Sequence, residues 1–195
     1  MAKRNAMTKP RIDALILSIL TLGAFSGAAA AGPPSITLKA SYFAPAGSVF
    51  RDVYGSGLLL GGDVTVPLAG PLDLWAGADW FAKTGHLLLT EEETKVRLIP
   101  IYAGLRLELR REKLRPYFGV AAAYFLLHEE NPLGSASESG LGLITQAGAR
   151  ARLGGPLWAD LFAGYRLCTI RSGGDDTVSA KLDGFSAGLG LSIRF

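Results

Sequence analysis

Two histidines, His86 in TGHLLL and His128 in LHEENP, are the residues best suited to take up a proton near neutral pH. Nucleophilic catalysis would require one of them within hydrogen-bond reach of a hydroxyl or thiol. Neither has a serine two residues away, where an extended chain would place it on the same face. Both are therefore read as solvated loop or strand-end histidines, and no catalytic residue is assigned. Three acidic groups offer hard oxygen ligands: Glu91, Glu92 and Glu93; Glu129 and Glu130; Asp175 and Asp176. A cation such as calcium needs several oxygens at once, whereas these groups lie on three separate segments. They read as acids that keep loops soluble, so no metal and no cofactor site is assigned. The single cysteine, Cys168, has no partner for a disulfide and reads as a small packed side chain.

The segments that carry these residues come after a targeting signal. Lys3, Arg4, Lys9 and Arg11 precede an apolar run from Ala14 to Phe25 and then the small residues SGAAAAG. That order predicts a cleaved secretory signal over residues 1–31, ending near Ala30 or Ala31, because the run is shorter than the roughly 20 residues of a spanning helix. Four of the 20 basic and one of the 17 acidic residues lie in it, which leaves 16 of each in residues 32–195. The remaining chain has no basic field of the kind that nucleic acid requires.

From Ser35 onward the period is two, the signature of strands. In KLDGFSAGLGLSIRF, Phe185, Ala187, Leu189, Leu191, Ile193 and Phe195 share one face, while Gly184, Ser186, Gly188, Gly190, Ser192 and Arg194 share the other. The same test predicts strands at Ser35 to Phe43, Ser56 to Val66, Leu72 to Ala82, Val96 to Leu109, Pro116 to Leu127, Leu141 to Leu153, Leu157 to Ile170 and Lys181 to Phe195. Connections alternate between short turns (PLAGP, RREKLR, GGP) and longer polar stretches (APAGSVFRDVYG, KTGHLLLTEEE, HEENPLGSASESG, RSGGDDTVSA). Such alternation places turns on the periplasmic side and loops outside.

The two faces decide between lipid and water. One parity collects Leu58, Leu60, Val64, Leu105, Leu107, Phe118, Val120, Tyr124, Leu161 and the terminal apolar set, with hardly a charge. The other collects Lys39, Arg106, Arg150, Arg152, Arg166 and Arg194 with Asp63, Asp73, Asp79, Glu108 and Asp160. A soluble barrel would invert this arrangement, so the aliphatic parity faces lipid and the polar parity faces the lumen. The fold class is all-β: a closed antiparallel transmembrane barrel of about eight strands, whose interior is only wide enough for side chains. Near-balanced interior charges predict a lumen plugged by its own ion pairs, with Gly119, Ala121 and Ala123 leaving room for the arginines. Lys83, Lys95, Arg97 and Arg171, near the outer edge, fit lipid phosphates. Tyr42, Trp80, Tyr102, Tyr117 and Tyr124 fit aromatic girdles, although Tyr102 and Tyr117 point inward by parity. Val49, Phe50, Val53, Tyr54, Leu87, Leu88 and Leu89 are apolar residues in loop territory and are read as strand extensions rather than an exposed patch.

The phrase PYFGVAAAYF after a short turn, IYAGLRLEL before it, and the final Phe195 behind alternating apolar residues resemble the outer-membrane-protein β-barrel family, the small OmpA and OmpX type. The resemblance covers residues 32–195. It implies location in the cell outer membrane, contact with lipid and lipopolysaccharide, and delivery to the barrel-assembly machinery through the last strand, with Phe195, Ile193, Leu191, Leu189 and Phe185 as the signal. It does not settle activity, because such folds host tethers, adhesins, channels and lipid-modifying enzymes. The expectation is a monomeric, non-enzymatic envelope or surface-interaction barrel acting through its outer loops. The alternatives are a lipid A deacylase using His86 or His128, and a narrow channel.

Overall fold

The computed structural model describes residues 32–86, 93–132, 134–171 and 179–195. The expected signal segment, Leu87 to Leu89, Glu91, Glu92, Asp175 and Asp176 lie outside the described residues. The elements are β1 (Ser35–Pro45), α1 (Ser48–Tyr54), β2 (Gly57–Ala69), β3 (Leu72–His86), β4 (Glu93–Glu108), β5 (Leu114–Asn131), β6 (Gly134–Gly154), β7 (Leu157–Arg171), β8 (Ser179–Lys181) and β9 (Gly184–Arg194). Strands β1 to β7 each pair antiparallel with the next, and β9 pairs antiparallel with both β7 and β1. The sheet therefore closes on itself through the β1–β9 pairing, while residues 134–139 of β6, beyond the closed ring, pair with β5. Both β8 and β9 pair with β7, so they act as one stave interrupted at residues 182 and 183. The interruption is bridged where the Leu182 N–H donates to the Cys168 carbonyl at 3.0 Å and the Cys168 N–H donates to Asp183 Oδ1 at 2.9 Å. Eight staves result, as the periodicity predicts.

Alternation fixes which side chains face where. In β1, Ser35, Thr37, Lys39, Ser41 and Phe43 are buried, whereas Ile36, Leu38 and Tyr42 are exposed. The exterior carries Leu38, Leu58, Leu107, Phe118, Leu141, Leu161, Leu189 and Phe195, with Leu141 76% and Leu38 69% exposed. Water does not tolerate a continuous aliphatic belt of that extent, and hydrocarbon does. Tyr42, Trp80 and Tyr124 lie on this outer face as girdle residues should. Tyr102 and Tyr117 do not belong to a girdle: they are 3% and 5% exposed inside the lumen.

The connection expected at HEENPLGSASESG is instead a tight hairpin, because β5 continues to Asn131 and β6 starts at Gly134. Beyond the membrane both faces of a strand meet water. The period-two hydrophobic signal disappears there even though the backbone ladder goes on. The first connection also departs from expectation: its apolar residues form the short helix α1 rather than a longer strand. Phe50 and Tyr54 turn into the barrel mouth, 8% and 7% exposed, with Val53 packed alongside. Phe50 lies 5.0 Å from the Tyr54 ring and 6.2 Å from that of Phe81.

The lumen is thus filled in two layers. The layer toward the longer connections is apolar: Phe43, Leu59, Phe81, Val96, Leu98, Phe125 and Leu182 are all at or below 4% exposure, and Phe43 meets Phe81 edge-on at 5.5 Å. The layer toward the short turns is ionic. A wholly polar interior, as the parity alone predicts, is therefore corrected to half of one. Gly119 makes room for Trp75 rather than an arginine, since a Cβ there would lie 3.1 Å from the indole. Arg152 is exposed at the short-turn mouth and takes no part in the buried network.

Candidate functional site

Inside the barrel, inward parity on β1 to β7 brings Lys39, Asp63, Trp75, Asp79, Arg106, Tyr117, Arg150, Asp160 and Arg166 together below the aromatic layer. Asp63 is a hub. Its carboxylate lies 3.1 Å from Lys39 Nζ and 3.5 Å from Arg106 Nη2, and it accepts the Trp75 indole N–H at 3.0 Å. Asp79 accepts from Arg166 at 2.6 Å, and Asp160 accepts the Tyr117 hydroxyl at 3.0 Å. Lys39 donates to the Tyr102 hydroxyl at 2.6 Å. The Arg106 guanidinium is stacked between Trp75 and Tyr117, 4.6 and 4.3 Å from their ring centroids. Buried charges are costly unless paired and hydrogen-bonded, and each of these is paired, although Asp63 Oδ1 and the Nε atoms of Arg106, Arg150 and Arg166 make no hydrogen bond. Where the two layers meet, a cavity of about 10 Å³ remains among the described residues, room for about one water.

Outside the barrel, at the rim of the longer connections, a second group of side chains shares the outward parity of β5 and β6. His128 stands opposite Ser137 in the strand register. Its Nδ1 lies 2.8 Å from Ser137 Oγ and its Nε2 lies 3.0 Å from Glu130 Oε1. The Glu130 hydrogen bond with His128, reinforced by the charge of that ring and by Arg97 and Lys95, holds its carboxyl below the usual carboxylate range. One turn of the pleat toward the membrane, the Tyr124 hydroxyl donates to Ser139 Oγ at 2.8 Å. Arg97, opposite His128 on β4, lies 5.0 Å above the Trp80 ring. A serine two positions from a histidine along one strand would share its face, whereas here the partner sits nine positions away across a hairpin. Only the β5–β6 register could have revealed it.

The other candidate residues separate. Glu129 turns inward, where the Thr94 hydroxyl reaches it at 3.4 Å, so Glu129 and Glu130 do not act together. Lys83 donates to the Ser56 carbonyl at 2.8 Å rather than reaching outward. For His86 and Arg171 the backbone alone is described.

No family model matches the chain, and no curated protein matches it in sequence. Solved structures do match in shape. The outer membrane protein OprG from Pseudomonas aeruginosa superposes with a TM-score of 0.66 at 16% identity, covering 85% of this chain and 97% of that one. Neisserial surface protein A gives 0.60 at 12% identity, covering 83% and 97%. Ail, the attachment invasion locus protein of Yersinia pestis, solved with the heparin analogue sucrose octasulfate, gives 0.57 at 15% identity, covering 84% and 99%. At these identities the likeness is one of fold: the chain has the closed eight-stranded architecture of small outer-membrane barrels.

Proposed function

We propose that this integral outer-membrane barrel is a non-enzymatic envelope protein that works through its outward surfaces and not by conduction. One observation carries the reading: the lumen is closed twice, by ion pairs in one layer and by aromatic packing in the other, with about 10 Å³ left between them. Reconstituted in planar bilayers, the protein is expected to give no steady conductance, and a stable, ion-selective conductance would overturn the reading. Its partners are outer-membrane lipid and lipopolysaccharide, met by the aliphatic belt and, at the outer rim, by Lys95 and Arg97. The Ail structure, a complex with the heparin analogue sucrose octasulfate, is an example of this fold in complex with a ligand. The last strand, with Phe195 exposed just after it, is the segment offered to the barrel-assembly machinery. Deleting Phe195 should lower the folded, heat-modifiable fraction in outer membranes, whereas Ser135→Ala should not.

A specific observation favours a second reading, ester hydrolysis at the outer rim. Ser137, His128 and Glu130 form a nucleophile, base and orienting-acid chain with spacings of 2.8 and 3.0 Å. Against it, Ser137 is exposed near the tip of a hairpin, where water competes for the hydrogen bonds that would hold an oxyanion. A fluorophosphonate probe separates the two readings. Labelling that disappears in Ser137→Ala and His128→Gln would establish the hydrolase, and absence of labelling in folded protein supports the non-enzymatic reading.

A further inference from the structure

The mouth on the short-turn side carries a feature that neither lumen closure nor the outer rim uses. A groove of about 420 Å³ opens there, lined by Arg110, Arg115, Arg152, Arg194, Pro156 and Trp158 among others. Four guanidinium groups from β4–β5, β6 and β9 converge on it, and few carboxylates reach them. Arg110 contacts Asp73 at 2.6 Å. Arg115 and Arg194 both rely on one oxygen of Glu108, at 3.3 and 3.4 Å, while the other Glu108 oxygen is held by Arg150 at 3.0 Å. Arg152 donates to the Gly155 carbonyl at 3.4 Å. Arg110 Nε is buried with no hydrogen-bond partner. Arg111 and Lys113, against Glu112, add a further positive charge on the adjoining turn. Among the described residues, two side-chain carboxylates, Asp73 and Glu108, pair with these four guanidinium groups, which leaves an excess of positive charge. One of the arginines is fixed in advance: Arg115 is stacked 4.6 Å from the Trp158 ring centroid, and its Nε donates to the Arg111 carbonyl at 3.1 Å.

We propose that this mouth is a binding site for a phosphomonoester dianion presented from the periplasmic side. The chemistry selects that class. Guanidinium forks match phosphate oxygens in pairs, and a phosphomonoester brings a charge of about −1.5 to −2 near neutral pH, which offsets the excess left by Asp73 and Glu108. A carboxylate or a phosphodiester brings half as much. The dianion can come from a soluble phosphomonoester or from a lipid whose headgroup is one.

The test uses the full barrel in phosphatidylcholine nanodiscs. In one arm, glycerol 3-phosphate is titrated by calorimetry at constant ionic strength. In the other, the discs contain phosphatidic acid and its ³¹P resonance is followed. Saturable binding of one equivalent is expected in at least one arm, and the arm that responds identifies the source. Removing guanidinium groups, in Arg152→Gln and in Arg115→Gln with Arg152→Gln, should weaken binding by about tenfold for each group lost. Lys83→Gln, at the opposite end, should leave it unchanged. Arg152 is exposed and bonds to one carbonyl, so its variant retains heat-modifiable migration and keeps the test valid. Absence of saturable binding in both arms, equal binding of chloride, or undiminished binding by the arginine variants would overturn the proposal.

Discussion

The two layers of the lumen solve one problem by different physics. The ionic layer, around Asp63, Arg106 and Arg150, is held by contacts that are directional and mutually dependent. The aromatic layer, around Phe43, Phe81 and Phe125, is held by area and shape, and its members can be exchanged for others of similar volume. Losing one member therefore has unlike consequences. A missing methylene in the aromatic layer leaves a void, whereas a missing carboxylate in the ionic layer leaves a stranded charge. Sealing is robust in the first layer and specific in the second.

Substitutions in each layer test that contrast. The largest effect is expected for Asp63→Ala, which strips the shared partner from Lys39 and Arg106 and should cost about 3 to 5 kcal/mol in urea unfolding of the bilayer-inserted barrel. A cost near that of a surface pair would mean that lumenal water screens the layer, and the contrast would fail. Phe81→Ala, fully buried against Phe43 and Phe50, should cost about 3 kcal/mol through the cavity it leaves, and Phe81→Leu far less. An equal loss for both would show the aromatic layer to be as exacting as the ionic one. At the boundary, Gly119→Ala sets a Cβ 3.1 Å from the Trp75 ring and should cost about 1 to 2 kcal/mol by overpacking, read as a lower unfolding midpoint. The smallest effect lies outside both layers. The Glu130 carboxyl has a lowered native value, so its contact with His128 contributes above the ordinary carboxylate value and is lost as pH falls through the lowered one. In His128→Gln, NMR titration should find Glu130 moved up toward its ordinary value, with a fall in the unfolding midpoint smaller than that of any lumen substitution.

Legibility in the sequence follows the same division. The ionic layer could be read because a charge on one parity and an aliphatic residue on the other leave one orientation for the strand. The aromatic layer could not. Where it lies, both parities are apolar, as in Leu58, Leu59 and Leu60 or Phe125, Leu126 and Leu127, and alternation carries no information about which face is inside. Helix α1 escaped for a related reason: seven residues hold too few turns to display a period. The Ser137 to His128 contact and the arginine groove depend on register and on ring closure, which are properties of pairing and not of any one segment.

Glu108 carries one consequence further. Its carboxylate, on β4, is shared by arginines from β5, β6 and β9, at sequence separations of 7, 42 and 86 residues. The last of these can be satisfied once β9 has joined β1, so the residue reports on the completion of the cylinder. A ring with one hairpin more or fewer would be wider or narrower at that level and would bring different side chains opposite Glu108, leaving it buried among too few or too many cations. The wall's hydrogen bonds are indifferent to how many staves a barrel has. The carboxylate is not, and it gives this chain a way to count them.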